Sequence, residues 1–344
     1  MSNNSNANSI KLILQIIVLP LLMILQCSCN FSQENKREQP EQVIASWTIL
    51  PTTNFPLMRG EYAMAYNSQH KKIVAYGGRT GFRSDFQNVN ETWAFDYKKT
   101  SWVNLEAINS PPWRSSHAMV YDQVRDMVVL FGGNDFTKVF NDLWQYDYSS
   151  NTWTNITPDY SPEARQMHGM VYVPNREVII MFGGRRLNGG AAFSDIWELN
   201  CKTYTWKKLN PENNPGVSDH VNLTYDQLAD KVLLYIAPAI WAYDLNSNNW
   251  TELVPDNRPD LEHSSFIYEP KYNKSILFGN IYGKSGRFTW VFDYSRNSWT
   301  NITPRNMFDI RIEHDGMVYL KDEHVFVQYG GCCEDLTLAL KLNQ

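Results

Sequence analysis

Five pairs of tryptophans, each pair nine residues apart, punctuate the chain: Trp93/Trp102, Trp144/Trp153, Trp197/Trp206, Trp241/Trp250 and Trp290/Trp299. They use ten of its twelve tryptophans, and the same phrase lies between the members of each pair. In "WQYDYSSNTW" (144–153) apolar and polar residues alternate, break at an Asp/Ser/Asn cluster and resume, as two short strands joined by a turn would. A second hairpin lies upstream in "HAMVYDQVRDMVVLFGG" (117–133), where two apolar runs flank the turn-prone DQVRD. Each unit therefore holds four strands in about fifty residues, the signature of a repeat architecture.

A four-stranded sheet this short cannot bury both faces alone, so neighbouring units must stack on it. Flat indoles suit the space between stacked sheets. Paired glycines end the second strand of most units, at Gly77-Gly78, Gly132-Gly133, Gly183-Gly184 and Gly330-Gly331. The fifth unit keeps only Gly279, and the fourth has Tyr235-Ile236 instead. The unit count comes from the two ends. The last unit supplies three strands and then the chain stops, whereas "SWTILPTTNFPLMRGEYAMAY" (46–66) matches "SWVNLEAINSPPWRSSHAMVY" (101–121) position by position. Trp47 is thus an outer-strand tryptophan with no unit before it. The two remainders complete one another, which predicts an all-β, six-bladed β-propeller over residues 46–344 whose last blade is finished by residues 46–50.

With the double glycines, the Tyr/Trp hairpins and an arginine twelve residues after a tryptophan (Trp47/Arg59, Trp102/Arg114, Trp153/Arg165, Trp299/Arg311), the chain resembles the kelch-repeat family, whose propellers include the central domain of galactose oxidase. The resemblance covers essentially all of residues 46–344. It implies the fold more narrowly than the function, because such propellers include oxidases, epimerases, iron-dependent specifier proteins and many protein-binding modules. The copper-radical oxidases need a tyrosine crosslinked to a cysteine, and beyond the leader this chain has only Cys201, Cys332 and Cys333. The E-x3-D-x3-H pattern of the specifier proteins is absent.

Upstream of the repeats, Lys11 precedes the apolar run "LILQIIVLPLLMIL" (12–25), and "QCSCN" follows it. Residues 1–29 read as a secretory signal, the apolar run being short for a membrane span; an uncleaved anchor is the rival reading. Cys27 and Cys29 suggest a lipoprotein-type signal, although Gln26 departs from that pattern for either cysteine. Residues 30–45 are a polar linker. The expectation is an exported protein, secreted or held at the cell envelope, with no membrane span in the mature domain. A net charge of −5 argues against nucleic acid as a general partner.

In a propeller the innermost strands start, and the second strands end, on one face. The openers of the innermost strands are RGEY (59–62), RSSH (114–117), RQMH (165–168) and RIEH (311–314), with Arg79, Arg83, Arg185 and Arg186 in the loops after the glycines. The functional reading is a cationic, histidine-bearing mouth formed by Arg59, Arg114, His117, Arg165, His168, Arg311, His314, Arg79 and Arg185, suited to carboxylate or sulfate groups. The other reading is that repeat-borne arginines bond to carbonyls and carboxylates of the blades, with Glu61, Glu163, Glu313, Asp85 and Asp135 neutralising the field. His220 and His263 fall near the same positions in blades four and five. Because symmetry spreads the histidines round a ring, no metal and no cofactor are expected. Cys332-Cys333 form either a vicinal disulfide or two thiols, and Cys201 should be a free, buried thiol. Six of the Asn-x-Ser/Thr sequences, at Asn90, Asn155, Asn222, Asn249, Asn273 and Asn301, would accept glycans only in a eukaryotic secretory pathway.

The expected function is a monomeric binding module, its ligand a protein or an acidic carbohydrate. The alternative is an exported mutarotase- or epimerase-like enzyme acting on an acidic sugar, with an arginine for the carboxylate and Glu or His for proton transfer.

Overall fold

The computed structural model describes residues 43–81, 87–187, 189–281, 286–305, 307, 316–331 and 335–343. Blade two shows how the repeat folds. Its strands are Ala118–Asp122, Met127–Phe131, Leu143–Asp147 and Thr152–Asn155, antiparallel and paired in that order. Asp122 turns the first hairpin by accepting the N–H groups of Val124 (3.0 Å) and Arg125 (3.3 Å). Asp147 does the same in the last hairpin through Ser149 N–H (2.8 Å). Such carboxylate-to-backbone bonds are why Asp starts these turns. The second strand is covered on both faces, so Val128, Val129, Leu130 and Phe131 form an unbroken apolar run.

Six such sheets follow one another. Their innermost strands are Ala63–Asn67, Ala118–Asp122, Gly169–Val173, Asn222–Asp226, Glu262–Glu269 and Gly316–Leu320. Each touches the next, and Gly316–Leu320 returns to Ala63–Asn67. The sixth sheet takes its outermost strand from the other end of the chain. Ile44–Ile49 pairs antiparallel with Thr337–Asn343, Trp47 lying opposite Leu340. This is the six-bladed arrangement predicted from the leftover strand, and Thr337–Asn343 is paired on both sides, by Val325–Tyr329 and by Ile44–Ile49.

The tryptophans act as wedges. At each of the six blade interfaces, the second tryptophan of a hairpin packs on the aromatic residue that ends the second strand of the preceding blade. The ring pairs are Tyr76–Trp153, Phe131–Trp206, Phe182–Trp250, Tyr235–Trp299, Phe278–Trp47 and Tyr329–Trp102. Their centroid separations run from 4.2 Å at Phe278–Trp47 to 6.0 Å at Tyr235–Trp299. The first tryptophan of three of the pairs has a different task. Trp93, Trp144 and Trp197 give their indole N–H to Glu91, Asp142 and Asp195, the acid two residues upstream (2.9, 2.7 and 2.8 Å).

Candidate functional site

The double glycines let one blade lie against the next. Gly132 and Gly133 have φ of 67° and 93°, and Gly133 N–H donates to the Arg165 carbonyl of the following blade (2.9 Å). A Cβ on Gly132 would sit 2.6 Å from that carbonyl and 3.0 Å from Cε1 of His168. Only glycine tolerates both the backbone angle and the approach. Gly78 N–H meets the Arg114 carbonyl in the same way (2.9 Å), and at the chain seam Gly331 N–H meets that of Arg59 (3.2 Å).

The arginine side chains turn back into their own blades. Arg114 is fully buried beside Phe140, 4.1 Å from its ring centroid. It donates to Gly132 O (2.9 Å), Pro112 O (3.1 Å) and both carboxylate oxygens of Asp142 (2.6 and 2.8 Å). Arg165 repeats the set with Gly183 O (2.9 Å), Glu163 O (3.1 Å) and Asp195 (2.6 and 3.0 Å). Arg59 uses Gly77 O (3.2 Å), Leu57 O (3.1 Å) and Glu91 (2.6 Å). Burial alone would raise the Asp195 carboxyl; the Arg165 hydrogen bonds and charge, with Trp197, carry it below the usual carboxylate range. These three arginines staple their own blades, the arrangement described by the other reading of the repeat-borne arginines. The reason is that Glu91, Asp142 and Asp195 offer each fork a bidentate or charged partner inside the blade. An acid two residues before each of three first tryptophans was the sequence signal for this arrangement.

The loop arginines are engaged too. Arg79 pairs with Glu61 (2.7 Å), Arg185 with Asp219 (2.8 Å) and Arg186 with Glu163. Arg311, His314, Cys332 and Cys333 lie outside the described residues, as do Arg83, Asp85 and Glu313. Each described loop arginine of the mouth thus has a carboxylate partner.

The mouth does hold a cavity of about 650 Å³. Its position follows from blade four. In blades two and three the second and third strands, Met127–Phe131 to Leu143–Asp147 and Val178–Phe182 to Ile196–Asn200, are separated by long connections. In blade four only Ala237 and Pro238 intervene, and Tyr235, Ile236, Ala237 and Leu261 line the cavity there. Four histidines border the cavity, namely His117, His168, His220 and His263. The first two are packed edge-on against Tyr76 (5.6 Å) and Phe131 (5.5 Å). No ring nitrogen of either makes a hydrogen bond of ordinary geometry. Burial, reinforced by the Arg165 charge, pushes His168 down to about 3, and burial with the Arg114 charge holds His117 well below the imidazole range. Both rings are neutral at physiological pH. His220 and His263 stand perpendicular at 6.0 Å.

The face around the cavity is rich in exposed apolar side chains. Leu57 (74%), Trp113 (60%), Tyr160 (60%) and Val217 (68%) project from the loops that enter blades one to four. On the opposite face, polar pairs clasp the hairpin turns of successive blades, as in His70–Asp126 (2.9 Å), Arg125–Glu177 (2.6 Å) and Arg176–Asp230 (3.0 Å). Cys201 is a free, buried thiol as expected, pushed up to about 12 by burial. Among the described residues no group of three or more His, Cys, Asp or Glu side chains is placed to hold a metal ion.

Comparison with known proteins agrees with this architecture. The family model for the KLHDC2/KLHL20/DRC7 kelch-repeats domain matches residues 42–236, more than half of the chain. Similar curated proteins include acyl-CoA-binding domain-containing protein 5 of Arabidopsis thaliana, 28% identical over 63% of this chain and 32% of that protein. Kelch domain-containing protein 10 of Xenopus tropicalis is 30% identical over 43% of this chain and 36% of its own length. Mei4-dependent protein 6 of Schizosaccharomyces pombe is 28% identical over 44% of this chain and 23% of its own. The matched part spans about a third or less of each relative. The chain belongs to the KLHDC2/KLHL20/DRC7 kelch-repeats domain family, and a kelch-repeats domain is a protein-binding propeller module.

Proposed function

We propose that the protein is an exported interaction module that receives a segment of a partner protein in the cavity at its mouth. One observation carries this reading. The cavity and the exposed side chains of Leu57, Trp113, Tyr160 and Val217 belong to the loops that enter the blades, while on the other face, which exposes Val124 and Leu228, ion pairs clasp the turns of successive blades. Exposed apolar and aromatic side chains beside a cavity suit an interaction surface, where aromatics dominate the energetics. The signal-like residues 1–29 support export. Site-specific photocrosslinking in the native host tests the face. A photoreactive residue at Trp113 is expected to give one defined protein adduct, and the same residue at Leu228, an exposed position in a hairpin turn of the other face, none. Adducts at Leu228 and none at Trp113 would overturn the assignment. Mass spectrometry of the mature N-terminus tests export, an intact Met1 in the purified envelope-free protein being the contrary result.

A further inference from the structure

The blades differ in the backbone they leave unpaired at the mouth. Where the chain enters a blade, one residue pairs with the connection between that blade's second and third strands. In blade two Ser115 and Asn134 exchange backbone bonds in both directions, each N–H to the other's carbonyl at 2.9 Å. Gln166 and Arg185 repeat the exchange in blade three, at 3.1 and 2.9 Å. Gly60 pairs with Arg79 in blade one, and Glu262 with Asn280 in blade five. In blades one to three the connection then folds back as a short arm, pairing Arg79 with Asn88, Asn134 with Val139 and Arg185 with Ala192.

Blade four has the entry and lacks the arm. Ser218 takes the place of Arg165, because Gly184 N–H donates to its carbonyl (2.8 Å) as Gly133 N–H donates to that of Arg165 (2.9 Å). The next residue, Asp219, is therefore the counterpart of Ser115 and Gln166. Its partner is missing. The second strand ends at Ile236, the third begins at Ala239, and only the exposed Ala237 and Pro238 lie between them. Pro238 has no N–H to offer. Among the described residues the Asp219 N–H makes no hydrogen bond, and its carbonyl receives only the neighbouring Ser218 hydroxyl (3.2 Å). A strand edge with a free donor and a free acceptor is a template for an added strand. The gap also opens on the mouth cavity, which Val217, Asp219, Ile236 and Ala237 line. A strand placed there is continuous with the surface assigned to the partner.

Resting on the binding-module reading above, we infer that the partner segment binds in extended form and supplies the strand that blade four lacks. One of its residues exchanges both backbone bonds with Asp219, and its alternate side chains enter the cavity beside Ile236 and Ala237. Main-chain bonds give such strand addition its affinity, and pockets for alternate side chains give it specificity. Blades two and three show the geometry that the protein's own chain takes at this place, an antiparallel partner meeting the entry residue. The pairing residue must keep its N–H, so proline is excluded from that position of the partner.

Amide exchange resolved by residue tests the open edge in the full chain. The Asp219 amide is expected to exchange about tenfold faster, or more, than the bonded amides of Ser115 and Gln166. Equal protection would mean that the edge is closed and would overturn the inference. Phage-displayed random peptides are then selected on the full chain and on its Val217→Trp variant, which blocks the mouth from an exposed position. A peptide that binds the parent and not Val217→Trp is expected to slow the Asp219 amide and to exclude proline at one position. An ester in place of the amide at that position should weaken it by about tenfold, as loss of one backbone bond does. If such a peptide leaves the Asp219 amide unchanged, or tolerates an ester at every position, the strand-addition inference is wrong and the mouth assignment stands. If every selected peptide ignores Val217→Trp, the mouth assignment falls, and the inference with it.

Discussion

The ring solves one packing problem in two ways, and the two halves of the molecule differ accordingly. Where blades five and six, six and one, and one and two meet, the wedging indole N–H finds a threonine: Trp47 to Thr289 (3.0 Å), Trp102 to Thr337 (3.2 Å) and Trp153 to Thr92 (2.9 Å). Across the other three interfaces the same position is Leu143, Ile196 or Ile240, packed against Trp206, Trp250 and Trp299. Those three indole N–H groups are buried without a partner. The bonded half contains blade six, whose sheet is assembled from the two ends of the chain, and its junction with blade one. Tyr329 O–H donates to Pro56 O there, and Gly316 N–H to Tyr62 Oη (3.1 Å). The unbonded half contains the shortened blade four. Polar closure is concentrated around the blade assembled from both chain ends, and the blade-four wall of the cavity lies in the half without it.

The largest effects are expected from removing a wedge or a staple. Trp102→Ala should cost about 3 to 5 kcal/mol by chemical denaturation, the usual penalty for truncating a buried indole. Arg114→Ala should cost a similar amount, about 3 to 5 kcal/mol, because it strands the Asp142 carboxylate against the blade. A loss under about 1 kcal/mol for Arg114→Ala would return that arginine to the list of ligand residues.

Acid comes next. The His168 imidazole has an ordinary value of 6.5 and is held near 3 in the fold. Below 6.5 the unfolded chain binds a proton that the folded chain refuses, so stability is full above that pH and falls as pH drops toward 3. At about pH 4.5 the loss from this residue should be about 2 to 3 kcal/mol relative to neutral pH. His168→Phe is expected to flatten the dependence in denaturation curves at the two pH values; an unchanged slope would mean the ring is not kept neutral.

Smaller effects sharpen the comparison of the halves. Thr337→Val should cost about 1 to 2 kcal/mol, since it leaves the Trp102 donor unsatisfied at an interface built around the bond. Ile196→Val, at the equivalent apolar interface, should cost about 1 kcal/mol through a lost methylene and no more. Smallest of all, Ile196→Thr offers Trp250 the missing acceptor at the expense of apolar contact, and the two should nearly cancel. The readout is specific: the Trp250 indole N–H resonance should shift and exchange more slowly in that variant alone.

Much of the fold was legible because the repeat exposes its own remainder. Trp47 had no blade, the last blade lacked a strand, and antiparallel pairing allows those facts one solution. The site was less legible. An arginine at a fixed repeat position is compatible with a binding rim or with a buried staple, and only the partner decides. Glu91, Asp142 and Asp195 were that partner, but their rule concerns contacts within a blade that spacing from the preceding tryptophan does not report. The loss of the loop in "YIAPAIWAYD" was visible at blade four, but that the shortened turn lines the cavity depends on how the blades are arranged round the axis. The alternation of threonine with Leu143, Ile196 and Ile240 needed the ring order, since each acceptor serves the tryptophan of the next blade.

Closure by the N-terminal strand is the claim on which the rest depends, and hydrogen–deuterium exchange of a chain beginning after residue 50 tests it most directly. Without Ile44–Ile49, the amides of Thr337–Asn343 should exchange rapidly, and protection should fall next at the interface that Trp47 wedges, around Phe278 and Thr289. Protection in both segments equal to that of the full chain would contradict the closed ring.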